Sequence, residues 1–261
     1  MTLVWKPGYS FDSDASTYID AVETADGQAL ETGVRVAIND FVLGCKQDEI
    51  WDAIKASCIL AGARTLDGAL VPLVGTAPTN NNFASGDYDR ETGIACGSTK
   101  YLDSNRADNE DGIDNHHLSV YCGTAYPTAT QGLAGAFTTT TVSATRLYRS
   151  SSSLYSQSRR NGGAFVVASV SGQPLGLYGI SRSSSLGHTT RVYGADYISN
   201  FASASNTTLN IYISGINNNG TAAPHNGSDK IAFYSIGESL DLAALDTRVS
   251  NLITAIGAAI P

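Results

Sequence analysis

The densest set of side chains able to do chemistry lies in Asp103 to Asp114 (DSNRADNEDGID), which gathers Asp103, Asn105, Asp108, Asn109, Glu110, Asp111 and Asp114. A calcium ion takes about six to eight oxygens from loops of this composition, so the stretch is a candidate cation site. Its spacing does not fit an EF-hand, and Arg106 sits in its middle. The competing reading is a solvated acidic connection between strands. A retaining glycosidase needs two carboxyl groups about 5 Å apart, which on a sheet means acids at alternating strand positions. Glu110 and Asp111 fall in a loop and Glu238 to Asp241 straddles a helix start, so neither supplies that pair. His116 and His117 open a strand, where alternation sends one ring inward and one outward; this suits packing better than metal binding. His188 and His225 stand apart from any nucleophile motif. There is no G-x-S-x-G elbow and no Gly-rich phosphate loop between a strand and a helix. The reading is therefore non-enzymatic, with no catalytic, cofactor-binding or metal residue assigned and no cofactor expected.

Binding chemistry is better represented. Tyr148, Tyr155, Tyr178, Tyr193, Tyr197 and Tyr212 are candidates for stacking on sugar rings, because tyrosine offers a flat apolar face with a polar tip. The alternative for each is an ordinary half-buried sheet tyrosine. The polar stretches Ser181 to Gly187 (SRSSSLG) and Asn217 to Asp229 read as ligand rims, since contact surfaces sit on loops over a rigid scaffold.

These residues need a scaffold. With 261 residues and 42% hydrophobic content, the chain can bury a full core. Its abundance of Gly, Ser, Thr and Asn suits a many-stranded protein. A net charge of -8 without a Lys/Arg cluster argues against nucleic acid or an anionic membrane as partner; Arg146, Arg149, Arg159 and Arg160 come nearest to a patch and are expected to scatter over strand faces. No apolar run reaches the roughly eighteen residues of a membrane span, and the first residues lack the pattern of a signal peptide. Cys45, Cys58, Cys96 and Cys122 have no zinc spacing. Cys45 and Cys58 read as small buried groups in helices, and the disulfide state is open.

Three short helices are expected first. Ser13 or Asp14 caps one carrying Tyr18, Ile19 and Val22 that stops at Gly27; a second spans Gln28 to Leu43 with Gly44 as its stop; a third runs from Asp48 to Leu60. An extended arm with Trp5, Tyr9 and Phe11 precedes them. Ala69 to Gly75 (ALVPLVG) suits an edge strand. Strands then follow at Thr99 to Leu102, His117 to Cys122, Ala134 to Thr138, Ala144 to Arg149, Ser153 to Ser158, Ala164 to Val170, Leu175 to Ile180, Thr207 to Ile213 and Lys230 to Ile236. Polar turns join them, including Gly215 to Asp229, so the spacing predicts a sandwich or barrel. Ser239 caps a last helix whose stripe is Leu242, Leu245, Val249, Leu252 and Ile256. That stripe packs on the chain itself or on symmetry mates. The expected division is 1–65 for arm and helices, 66–238 for the sandwich and 239–261 for the last helix.

Three blocks carry a family resemblance: AINDFVLGCKQDEIWDAIKASCILAGARTLDGALVPLVGTAPTN (Ala37 to Asn80), GSTKYLDSNR (Gly97 to Arg106) and KIAFYSIGESLDLAALDTRVSNLITAIG (Lys230 to Gly257). In these the chain resembles phage-encoded virion proteins with a concanavalin A-like, laminin-G-like jelly roll. The resemblance implies a mainly β jelly-roll sandwich with an N-terminal helical segment and a C-terminal amphipathic helix. It also implies localisation in the virion, as tail appendage, fibre or capsid decoration. Partners would be other virion proteins, further copies of the chain (a homotrimer being the natural guess) and host surface glycan. It brings no catalytic motif. A calcium-dependent glycan-binding lectin using the Asp103 to Asp114 loop is the alternative from another class, and a glycoside-active enzyme is a third.

Overall fold

Helical spacing governs the two ends of the described chain, and strand alternation most of what lies between. The computed structural model describes residues 10–124, 131–138, 143–150, 153–160, 163–167, 175–224 and 229–261. Trp5 and Tyr9 of the expected arm, the end of the expected strand at Val170, and His225 lie outside them.

Helix α1 (Ser13–Asp26) is capped by Asp12, whose carboxylate accepts from the Asp14 amide, and ends on Gly27 at φ 67°. Helix α2 (Thr32–Gln47) runs through Gly44 instead of stopping there. The chain then turns at Trp51–Ala53 into β1 (Ile54–Ile59), followed by the single turn α3 (Leu66–Ala69). Strands β2 (Thr79–Asn81), β3 (Tyr88–Asp89), β4 (Gly93–Ala95), β5 (Tyr101–Ala107), β6 (His116–Cys122), β7 (Gln131–Thr138), β8 (Ser143–Ser150), β9 (Ser153–Arg160) and β10 (Phe165–Val167) come next. After them come β11 (Gly176–Ser184), β12 (Gly187–Val192), β13 (Ala195–Ser199), β14 (Asn210–Ile213), β15 (Gly215–Asn218), β16 (Thr221–Pro224) and β17 (Lys230–Gly237), and α4 (Leu242–Ala259) closes the chain.

The strands form two facing sheets, the jelly-roll sandwich expected. One has the order β13-β12-β11-β6-β17-β4-β3 with β1 also paired to β17; the other has β10-β9-β8-β7-β14-β5-β2 with β15 on β7 and β16 on β15. Leu118, Val120, Tyr178, Ile180, Ile231 and Ile236 of the first meet Leu102, Leu133, Ala136, Leu147, Leu154 and Ile213 of the second in one buried core. A second core lies on the other face of the first sheet, where Leu177 and Phe233 meet Ile19, Val22, Val34, Ile38, Leu245, Val249 and Ile256 of the helices. The described residues thus make three layers: helices, a middle sheet covered on both faces, and an outer sheet whose second face has no helical cover among them.

The structure corrects several expectations. Residues 54–59 form a strand, not the end of a third helix, and Cys58 sits in it. This strand is buried on both faces, so its residues read as one apolar run and the two-residue alternation disappears. It also places part of the middle sheet inside the expected 1–65 block. Residues 69–75 give only a bridge, Ser57 to Val74, instead of an edge strand. The expected connection at residues 181–187 is a hairpin, with β11 reaching Ser184 opposite Gly187. Residues 215–224 are a hairpin too, turning on Asn219 (φ 51°) and Gly220 (φ 85°), the pairing that a two-residue primed turn requires. The cap of α4 is Asp241, accepting from the Ala243 and Ala244 amides, instead of Ser239. All four cysteines are buried thiols outside any disulfide, and burial pushes the Cys45 and Cys58 thiols up to about 12.

Candidate binding face

The uncovered face of the outer sheet follows from strand alternation. On β8, Leu147 points into the core and its neighbours Arg146 and Tyr148 point to the other face, where both are half-buried; on β9, Leu154 points in and Tyr155 and the buried Gln157 point to that same face. The same logic turns Tyr101 and Asp103 of β5, Tyr212 of β14 and Phe137 of β7 outward. Cross-strand register then lines them up. One row reads Thr79, Asp103, Tyr212, Gly135, Arg146 and Gln157 across β2, β5, β14, β7, β8 and β9. The next has Gly132, Tyr148, Tyr155 and Val166.

Aromatic rings dominate these rows. Tyr148 and Tyr155 stack with centroids 4.8 Å apart and planes at 13°, and Tyr101 and Tyr212 stack at 4.4 Å and 25°. The guanidinium carbon of Arg146 lies 4.3 Å from the Phe137 ring centre and 4.7 Å from that of Tyr148. Its Nε donates to Gln157 Oε1 at 2.5 Å. The result is a ladder of Tyr155, Tyr148, Arg146 and Phe137 over three neighbouring strands. Desolvation raises the Tyr148 phenol above its usual range, and burial raises the Tyr212 phenol to about 12. Both therefore stay neutral hydrogen-bonding groups at physiological pH.

Tyr148, Tyr155 and Tyr212, singled out from the sequence, come together on this face. Tyr178 is buried in the core, its hydroxyl donating to that of Tyr193 at 3.0 Å, and Tyr197 lies on the edge strand β13. Because each stacked ring gives a face to its partner, the pairs offer ring edges and hydroxyls as well as flat surface. Sequence reasoning missed Arg146, Gln157, Phe137 and Tyr101. The signal for two of them was present: a hairpin that pairs Ser150 with Ser153 sets Tyr148 opposite Tyr155 and Arg146 opposite Gln157.

A separate cleft of 360 Å³ opens where the β11–β12 hairpin meets the start of α4, lined by Ser181, Ser183, Thr189, Asp196, Ser239 and Asp241. Ser181 and Ser183 of the expected 181–187 rim thus line this cleft. Most of the cleft's polar groups are already engaged. Ser181 Oγ donates to the Leu240 carbonyl at 2.8 Å, Asp241 caps α4, Asp196 pairs with Arg191 at 2.8 Å, and Ser239 Oγ donates to Asn115 Oδ1 at 2.6 Å. A ligand there would have to displace those bonds.

Three of the acidic segment's five carboxylates are paired with arginines. Arg106 occupies its centre, donating to Asp111 at 2.6 Å and to Glu110 at 2.8 Å. Asp108 is buried against Arg159 and accepts from the Thr207 amide at 3.0 Å; Asp114 accepts from Ser203 Oγ. Among the described residues no group of three or more His, Cys, Asp or Glu is placed to hold a metal ion. Both histidines at the start of β6 are buried. His116 reaches Ser158 in the sandwich interior at 2.9 Å, beside Arg182, while His117 lies under the start of α4 between Ser235 and the Glu238 carbonyl. The outward ring is covered because that face of the middle sheet is not solvent-facing. Arg149 and Arg159 are interior as well, leaving Arg146 on the open face.

No family model and no curated protein matches the chain. Solved structures do share its fold. It is similar to the botulinum neurotoxin serotype D binding domain at a TM-score of 0.51 and 11% identity, over 77% of this chain and 51% of that one. A mutant of Trypanosoma rangeli sialidase displaying trans-sialidase activity matches at a TM-score of 0.50 and 10% identity, over 84% of this chain and 39% of that one. The CBM40 of a Ruminococcus gnavus IT-sialidase, bound to α2,3-sialyllactose, gives a TM-score of 0.42 and 14% identity over 59% of this chain and 96% of that one. The chain spans about half the length of the neurotoxin domain and less of the sialidase. At such identities the likeness establishes a β-sandwich and nothing about ligands.

Proposed function

We propose that this protein is a glycan-binding module that acts without catalysis, presenting the uncovered face of its outer sheet to a saccharide. The observation that carries the reading is the ladder of Tyr155, Tyr148, Arg146 and Phe137 on a face with no helical cover. Stacked tyrosines combine apolar area with hydroxyls and lose little rotamer entropy on binding, which suits a ligand of alternating apolar patches and hydroxyl groups. Of the neighbours named above, the two at a TM-score of 0.50 or more are a binding domain and a sialidase, so both binding and hydrolysis are to be assayed. Against hydrolysis stands the charge inventory of the face. In its cross-strand rows Asp103 is the one carboxylate among the described residues, whereas the usual mechanisms use two. Binding is expected to be independent of calcium, because Arg106 holds Glu110 and Asp111 and Arg159 holds Asp108 of the 103–114 segment.

Screening on immobilised glycans should give binding that EDTA leaves intact, with no release of reducing sugar. Tyr148→Ala and Tyr155→Ala should each weaken binding about tenfold or more, the effect of removing an aromatic anchor. Cross-strand pairs of this kind contribute roughly 0.2–1 kcal/mol to folding, so both variants should keep their circular dichroism and nearly their Tm. Unchanged affinity in both would sink the assignment of the face. Display on a phage particle, which the family resemblance implies, is proposed as the setting for such a module; mass spectrometry of purified virions should find it at fixed stoichiometry.

A further inference from the structure

We infer that the saccharide this face takes carries a carboxylate, and that Arg146 is the residue that reads it; the inference rests on the glycan-binding reading above. Among the described side chains, nine other arginines are either paired or enclosed. Arg35, Arg64, Arg90, Arg106, Arg159, Arg191 and Arg248 each face a carboxylate of the chain within 3.4 Å. Arg149 and Arg182 are enclosed in the sandwich with no exposure. Arg146 differs from both groups. It is half-buried on the outer face of the sheet, it is held by two rings and by Gln157, and it meets no carboxylate among the described residues.

The holding is selective. Gln157 takes the Nε proton, and the rings of Phe137 and Tyr148 contact the planar group, so those bonds leave the terminal nitrogens as the donors for a ligand. A guanidinium fork fits a carboxylate with two parallel hydrogen bonds. Fixing that fork beforehand removes the ordering cost that a free arginine would bear on binding. The nearest acid in the same row, Asp103, is three strands away through Tyr212 and Gly135. At about 4.8 Å per strand this is about 14 Å, beyond the roughly 8 Å over which exposed charges act at physiological salt. Arg146 is therefore an uncompensated positive site on a chain whose net charge is -8. That overall charge disfavours polyanions such as nucleic acid or heavily sulfated glycans. A single carboxylate beside sugar hydroxyls, read at contact distance with the Tyr148 and Tyr155 phenols alongside, is the ligand that both facts allow.

Calorimetry with matched probes tests this: 3′-sialyllactose against lactose, and cellobiouronic acid against cellobiose, on the wild-type chain, Arg146→Gln and Arg146→Lys. In at least one pair the acidic sugar should bind about tenfold or more tighter than its neutral partner, the factor a charge-assisted hydrogen-bonded pair supplies. Arg146→Gln should bring that ratio to near one while the neutral sugar's affinity holds, and Arg146→Lys should restore it only in part, keeping the charge but losing the fork. Gln157→Ala, which frees the guanidinium without removing it, should reduce the ratio several-fold and serves if Arg146→Gln does not fold. Equal affinity for acidic and neutral members in the wild type, or a ratio that survives Arg146→Gln, overturns the inference and leaves the glycan-binding reading standing. No binding by any of the four probes, together with an empty glycan screen, removes both.

Discussion

His117 has a measurable consequence. Its Nδ1 lies 2.5 Å from the Glu238 carbonyl, which can only accept, so the ring proton is on Nδ1 and Nε2 accepts from Ser235 Oγ at 2.6 Å. Burial, the largest cause, lowers this imidazole to about 4, although the Glu238 hydrogen bond opposes the shift. The unfolded chain protonates it near 6.5. Between those values the unfolded state binds a proton that the folded state refuses, so stability is full above about 6.5 and declines as pH falls towards 4. Integrated, the loss is about 3 kcal/mol from this residue, and His116, lowered by desolvation and by the nearby Arg159 charge, adds to it. Urea denaturation at pH 7.5, 5.5 and 4.0 should show this decline, and His117→Gln should flatten it. A flat profile in the native chain would mean that the ring is solvated. Asp26 is a second residue of this kind. Its carboxylate accepts from the amides of Arg64 and Thr65 and from the Thr65 hydroxyl, at 2.7, 2.9 and 2.7 Å, tying the end of α1 to the turn before α3. Asp26→Ala orphans these donors and should cost about 2–3 kcal/mol. A loss below half of that by denaturation would show the turn to be held otherwise.

Between elements, α2 and α4 show what the sequence held and what it concealed. Gly33 and Gly44 are eleven residues apart, close to three helical turns, and so share one face of α2. A Cβ on Gly33 would sit 2.6 Å from Ala259 Cβ, and one on Gly44 would sit 2.7 Å from Arg248 atoms, so the glycines admit α4 at close range. Arg248 then pairs with Asp48 through bonds of 2.7 and 2.8 Å. From sequence alone Gly44 reads as a helix stop, since its partner lies some two hundred residues away; the purpose of such a glycine is visible only with α4 in place. The α4 stripe itself was legible: Leu242, Leu245, Val249, Leu252 and Ile256 are all buried. They meet the chain's own helices and middle sheet, so this stripe is not left over to join symmetry mates in a coiled coil. Leu245→Ala should therefore lower unfolding stability by about 2–5 kcal/mol at every protein concentration. A Tm that rises with concentration in the native chain, and ceases to do so in the variant, would place that contact between copies instead. Strand β1 was illegible for the opposite reason: burial on both faces leaves no alternation, and Ile50, Trp51, Ile54 and Cys58 also satisfy helical spacing.

At the scale of the molecule, layering decides where function can sit. Helices cover one sheet, the two sheets cover each other, and the remaining sheet face has no helix over it among the described residues. Class and layers could be read from alternating strands and amphipathic ends. Assignment of side chains to that face could not, because it needs register, and bulges in β7, β8 and β14 shift the register in ways composition does not record. Tyr148 and Tyr155 were picked out without their pairing, while Arg146 appeared only as one member of a scattered set of arginines. The acidic 103–114 segment, the most conspicuous chemistry in the sequence, is mostly occupied in pairing with the chain's own arginines. Amide chemical-shift mapping, with a saccharide selected on a glycan array, tests the account at its centre. Shifts should concentrate at residues 144–148 and 155–158, with Phe137 and Tyr212 alongside. Shifts gathered instead around Ser181, Ser239 and Asp241, or an array on which nothing binds, would contradict it.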